Sequence, residues 1–177
     1  MSSVLRPFPT LHSFSPESVG PKHDAQGQRM TGLVSVTWVT ANMAVFVPFA
    51  LEVPITAKQM FLLNGATASG NVDVGIYTAD GIRLVSIGST AQAGINDLQA
   101  FNITDTILGP GRYYFAAAMD GTAGTILGAS ASATLARAMG YQQMATAFPL
   151  PATATFATGS ASANLGAVVG LTQRSFV

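Results

Sequence analysis

The chain has 177 residues, 49% of them hydrophobic and only 9% charged, with 8 basic and 8 acidic side chains balancing to zero and no cysteine. That length suits one domain with its own core; the missing cysteines exclude disulfides and thiolate metal sites, and the few scattered cations exclude a basic stripe for a nucleic-acid backbone. Charged residues normally make up about a quarter of a soluble domain, so the deficit predicts a surface that meets other subunits.

Residues 1–30 stand apart from the rest. They hold Pro7, Pro9, Pro16 and Pro21, both histidines (His12 and His23) and no sustained periodicity. Proline fixes φ and removes a donor, so an extended docking arm is expected, with Phe8, Leu11 and Phe14 as its apolar anchors on a neighbour. The segment lacks the basic start and continuous apolar stretch of a secretory leader. No apolar run approaches the roughly 20 residues of a membrane span, so membrane insertion is not expected.

From residue 31 to residue 177 short apolar strands alternate with turn residues. "LVSVTWV" (33–39) alternates, with Val34, Val36 and Trp38 on one face. "AVFVPFAL" (44–51) is strand-like, with Pro48 marking an edge position or a bulge. "TAKQMFLLNG" (56–65) ends in the turn pair Asn64-Gly65. "NVDVGIYTADGIRLVSIG" reads as a hairpin, with Val72, Val74 and Ile76 on one face, Asp73 and Tyr77 on the other, and a turn at Asp80-Gly81. "LQAFNIT" (98–104) and "GRYYFAAAM" (111–119) are two more strands, joined by the turn "LGPG". Residues 120–148 carry a weaker signal, with one short helix at 132–139. "ATATFAT" (152–158), after the turn "PLP", and "AVVGLTQR" (167–174) close the chain. Seven or eight antiparallel strands after the arm predict an all-β, jelly-roll-like sandwich.

Chemistry is scarce in this body. Both histidines lie in the arm, so a nucleophile–histidine pair has no base in the folded part, and no metal or cofactor is expected. The body acids are Glu52, Asp73, Asp80, Asp97, Asp105 and Asp120. Asp80 and Asp120 precede glycines, and Asp97 and Asp105 sit where loops begin, which turn geometry explains. A glycosidase would need two carboxyls roughly 5 to 9 Å apart across a groove. Sequence spacing leaves Asp73 with Asp97, or Glu52 with Asp105, open as such a pair. Aromatic side chains are the usual sugar platforms, and Tyr77, beside the hairpin turn, and Tyr141, in the weak region, are the exposed candidates.

The run "VDVGIYTADGIRLVSIGSTAQAG…LQAFNITDTILGPGRYYFAAA" resembles small β-sandwich virion proteins of tailed bacteriophages, over about residues 45 to 120. The matching features are the V-x-V-G-I-Y strand leading into a D-G turn and the later "L-x-P-G-x-Y-Y" turn. The resemblance carries over no active residue. It implies a non-enzymatic structural or adhesive role in a virion assembled in the host cytoplasm, as a homotrimer attached to capsid, neck or tail proteins. The alternative it leaves is a fibre-tip module that binds host-surface glycan. A hairpin without chemistry suits such a component, offering paired backbone and flat small-residue faces for neighbours.

Overall fold

The structure, a computed structural model, describes residues 18–19, 34–129, 137–158, 166–167 and 169–173. The arm anchors Phe8, Leu11 and Phe14, both histidines and most of the expected helix at 132–139 lie outside the described residues. Within them nearly all regular structure is β, and every strand pairing is antiparallel. The all-β sandwich read from the sequence is the fold.

One sheet has the order β1 (Ser18–Val19), β14 (Val169–Thr172), β4 (Ile55–Leu63), β8 (Leu98–Leu108). The largest sheet runs β12 (Ala157–Thr158), β11 (Gln142–Met144), β3 (Ala44–Leu51), β9 (Gly111–Met119), β5 (Asn71–Thr78), β6 (Arg83–Ser86). A short strand, β7 (Thr90–Ala91), also pairs with β5. A third sheet joins β13 (Gly166–Ala167), β10 (Thr125–Ala129) and β2 (Val34–Thr37). Among the described residues thirteen strands after the arm therefore replace the seven or eight expected, and β1 lies in the arm itself; β1, β7, β11, β12 and β13 have only two or three residues each, too few to show alternation.

The main core lies between the four-stranded sheet and the largest one, and period-2 alternation builds it. From the largest sheet come Val45, Val47 and Phe49, then Val72, Val74 and Ile76, then Phe115, Ala117 and Met119. Facing them are Ile55, Ala57, Met60, Leu62, Phe101, Leu108 and Leu171, while Val36, Trp38 and Ile126 close the side. Phe49 stacks on Phe115 with centroids 4.0 Å apart and 14° between the rings. The Trp38 indole N–H donates to the Met43 carbonyl at 3.1 Å, so the single tryptophan is buried with its polar handle satisfied. Val34, on the same strand, is exposed instead.

The hairpin of β5 and β6 forms as read. The Thr78 N–H donates to the Ile82 carbonyl at 2.9 Å, and Gly81 turns the chain at φ +84°. A β-carbon there would also meet the Ala154 carbonyl oxygen at 2.5 Å, so both conformation and space demand glycine. Two other turn signals also turn the chain, and the structure adds which sheets they join. "LGPG" links β8 to β9, which belong to different sheets, so it is a corner between layers and not a hairpin. Asn64-Gly65 likewise carries the chain from β4 to the opposite sheet. Pro48 lies where β3 has β9 on one side but is past the reach of β11, which covers only Ala44 to Phe46, as an edge position requires.

The second face of the largest sheet is also buried. "ATATFAT" is a strand only at its last two residues; residues 145–156 leave β11, cross the sheet and return to β12. Ala147, Leu150 and Ala154 from this crossing segment pack on Ala44, Phe46, Tyr77, Ala116 and Ala118. The far end is tied to the hairpin through Arg83 N–H to the Ala152 carbonyl at 2.9 Å and Ala154 N–H to the Gly81 carbonyl at 2.8 Å. The flat small-residue face expected to receive a neighbour is thus covered by the chain itself. Gly75 lies under Leu150, and a β-carbon there would come within 3.0 Å of its Cδ1.

Phe115 is fully buried and stacked at the centre of the main core. Phe115→Ala is expected to cost about 3–5 kcal/mol, read as a lower urea midpoint with an unchanged m-value.

Candidate functional site

The titratable groups that the fold brings together sit under the crossing segment. Alternation on β5 sends Asp73 and Tyr77 to the face that this segment covers, and β6 contributes Ser86 and Arg83 beside them. The Leu150 N–H donates to Asp73 Oδ2 at 2.9 Å, and the Ser86 hydroxyl donates to the same oxygen at 3.3 Å. Arg83 Nη1 donates to the Leu150 carbonyl, and the Tyr77 hydroxyl donates to the Pro151 carbonyl at 2.5 Å. Three side chains of the hairpin therefore hold two consecutive residues of the segment, "LP" at 150–151.

Asp73 is fully buried, and its Oδ1 has no hydrogen-bond partner. Burial holds its carboxyl above the usual carboxylate value, outweighing the Leu150 N–H, the Ser86 hydroxyl, the Gly88 N–H and the Arg83 charge, which all favour ionisation. Burial likewise raises the Tyr77 phenol. A carboxyl raised by burial is a common mark of acid–base catalysis. Here it is sealed beneath Leu150 with no solvent-facing surface, so its part is to fasten the segment.

Both tyrosines offered as sugar platforms are internal, which corrects that expectation. Tyr77 makes an edge contact with Phe46 at 5.2 Å beneath the crossing segment. Tyr141 packs into the main core, and burial pushes its phenol up to about 12. Proximity to a turn put Tyr77 among the exposed residues; its alternation with Val74 and Ile76 places it on the opposite face of β5, and that face is buried too. Tyr113 and Tyr114 lie on opposite faces as adjacent strand residues must: Tyr113 stacks on Phe49, and Tyr114 packs on Phe156 at 4.6 Å.

The remaining acids have local duties. Asp120 accepts from the backbone N–H and the side-chain amide of Asn71, each at 2.9 Å. Asp97 caps its own loop through the Leu98 N–H at 2.7 Å. Asp105 lies within β8, not at a loop start, 3.7 Å from Lys58. Among the described residues, no three His, Cys, Asp or Glu side chains are placed to hold a metal ion.

A buried amide network escaped the sequence reading. Asn64 donates to the Ala93 carbonyl and to Gln99 Oε1, while Gln92 Nε2 donates to Asn64 Oδ1 at 3.0 Å and to the Thr125 carbonyl at 2.7 Å. It ties the end of β4 to β8 and β10, and its signal in the sequence is the run of Asn64, Gln92, Asn96, Gln99 and Asn102 in a chain with few charges.

In contrast to these buried groups, one sheet edge is accessible. β8 is eleven residues long, lies at the end of its sheet, and carries exposed Leu98 and Ile107. No family model, curated protein or solved structure matches this chain.

The Asp73 geometry sets a pH dependence. A carboxyl whose folded value lies above its unfolded one keeps a proton in the native state that the unfolded chain has already released. Stability from this group is therefore highest below the ordinary value of 3.8 and falls as pH rises through the higher folded value. Asp73→Asn should flatten that fall, measured as urea midpoints between about pH 3 and about pH 8.

Proposed function

We propose that this chain is a non-enzymatic structural component of a bacteriophage virion, which works by assembling with copies of itself and with capsid, neck or tail proteins. The observation that carries the reading is the poverty of charge on an extensive surface. Between residues 34 and 173 the cations are Lys58, Arg83, Arg112 and Arg137, and the acids are the six already named. One of those acids, Asp73, is buried. Ile95 and Ile107 are meanwhile 62% and 78% exposed. Such a surface is poorly suited to a dispersed monomer and well suited to lasting contact with other subunits. The virion setting comes from the resemblance of residues 45 to 120, and the arm anchors Phe8, Leu11 and Phe14 are its proposed docking residues on the particle. The glycan-binding alternative has lost Tyr77 and Tyr141, the residues on which it stood.

Native mass spectrometry of the full chain is expected to give an oligomer, with the trimer as the count the resemblance implies. Peptide mass spectrometry of purified particles should find the chain in the virion. Replacing the three anchors together (Phe8→Asp, Leu11→Asp, Phe14→Asp) should remove it from particles while leaving the circular dichroism of the body unchanged. A dispersed monomer at high concentration, or absence from the particles, overturns the reading.

A further inference from the structure

We propose that two copies of this chain join through the outer edge of β8, strand against strand and antiparallel. The inference rests on the reading that the protein works by self-assembly, and it names a two-fold contact, which gives dimers or joins trimers in pairs and is separate from any three-fold contact.

An edge strand presents alternate N–H and C=O groups that no neighbour satisfies, and another strand is the partner whose chemistry matches them. Among the described residues β8 has β4 on one side and no strand on the other. The opposite edge of the same sheet is β1, with two residues. Exposed edges are ordinarily guarded by lysine, proline, bulges or short length. β8, "LQAFNITDTIL", has no lysine, arginine or proline, and its single charge, Asp105, is paired with Lys58 at 3.7 Å. One bulge-like irregularity interrupts its ladder with β4, between Asn102 and Thr106, and guards only the residues it spans; Leu98 to Asn102 is the longer regular stretch and Thr106 to Leu108 the shorter.

The pattern along the edge selects a second copy running the opposite way. Leu98 is 38% exposed and Ile107 is 78% exposed, each on the face away from the core, since Phe101 and Leu108 are the buried residues of the strand. Ile95, 62% exposed, precedes Leu98 in the entering loop. A two-fold antiparallel pair brings the Ile107 end of each copy towards the Ile95 and Leu98 end of the other, apolar against apolar. Exposed Ala100 near the middle of the regular stretch adds no bulk between the strands. Because the edge carries one ion-paired charge and the chain none net, identical copies meet without like-charge repulsion.

Sedimentation velocity of the full chain, and of Ala100→Lys and Ile107→Lys variants, tests this. Each lysine should weaken self-association by about tenfold or more, because it places like charges across the shared edge. Val53→Lys, on the exposed turn between β3 and β4, should leave association unchanged. Since the chain has no cysteine, single Leu98→Cys, Ala100→Cys and Asn102→Cys variants supply a second readout. The one nearest the two-fold axis should give a disulfide-linked dimer on mild oxidation, which requires Cα atoms within about 7 Å; this decides the matter if the lysine variants fail to fold. Loss of association with lysine at β8 but not at Val53, or a strong crosslink at one β8 position, supports the edge. An oligomer indifferent to both lysines and uncrosslinked at all three positions overturns the edge and leaves self-assembly standing. A monomeric unaltered chain overturns both.

Discussion

The structure depends on burying both faces of its largest sheet. β5 and β9 place branched and aromatic side chains on the inner face and Ala116, Ala118, Gly75 and Tyr77 on the other. Apart from Tyr77 the second set is apolar and small, and would waste apolar surface in water unless covered. The crossing segment 145–156 supplies the cover because small residues let its backbone come close to the sheet. Close approach has a consequence for polar groups: the segment is irregular, and apart from its backbone bonds at Ala147, Ala152 and Ala154 its amides and carbonyls find partners in side chains. Asp73, Arg83 and Tyr77 meet that demand from the hairpin, taking the Leu150 amide, the Leu150 carbonyl and the Pro151 carbonyl. The desolvation of Asp73 is the cost of holding the cover down.

That arrangement explains which parts of the fold were legible in the sequence. Strand alternation is a local property, so β3, β4, β5 and β9 could be read from the spacing of valines, alanines and aromatics, and Asp80-Gly81 from its need for positive φ. What was not legible was where each turn sent the chain. Asn64-Gly65 and "LGPG" have the composition of tight turns, and they do turn the chain, but a corner between two sheets draws on the same residues as a hairpin. Partner choice is set by packing across the core, which no local window contains. "ATATFAT" alternates threonine with alanine as a strand does, yet only Ala157–Thr158 is strand. Proline at 149 and 151 and the polar ties at Leu150 and Pro151 keep the crossing segment out of the ladder.

The candidate site was less legible than the fold, for a related reason. Tyr77 and Tyr141 were assigned exposure from their neighbours in sequence, while their burial comes from segments 70 or more residues away in one case and from the whole sandwich in the other. Asp73 was weighed as one of several isolated acids. Its distinction, full burial against a backbone amide 77 positions along the chain, is a property of the fold alone. The amide network around Asn64 is the same case: each residue is ordinary singly, and their convergence follows from the path of the chain after β4.

The internal polar groups also bear on the outside of the molecule. In a chain with so few ionised side chains, those the fold requires internally are subtracted from a small supply, and what remains for the surface is sparse. Asp73 is buried, Asp120 is engaged with Asn71, and Asp105 is matched by Lys58. A monomer would need those charges for solubility and to guard its sheet edges. The longest edge here has no cation or proline of its own, while the largest sheet, which could have offered its flat face to a neighbour, is covered by its own chain. Covering the face and leaving the edge bare has a mechanical meaning: contacts through a covered face would rest on a segment held by a handful of side chains, whereas contacts through β8 pull directly on the ladder with β4 and so on the sandwich itself. For a component whose proposed work is to hold position within a particle, the edge is the stronger place to join.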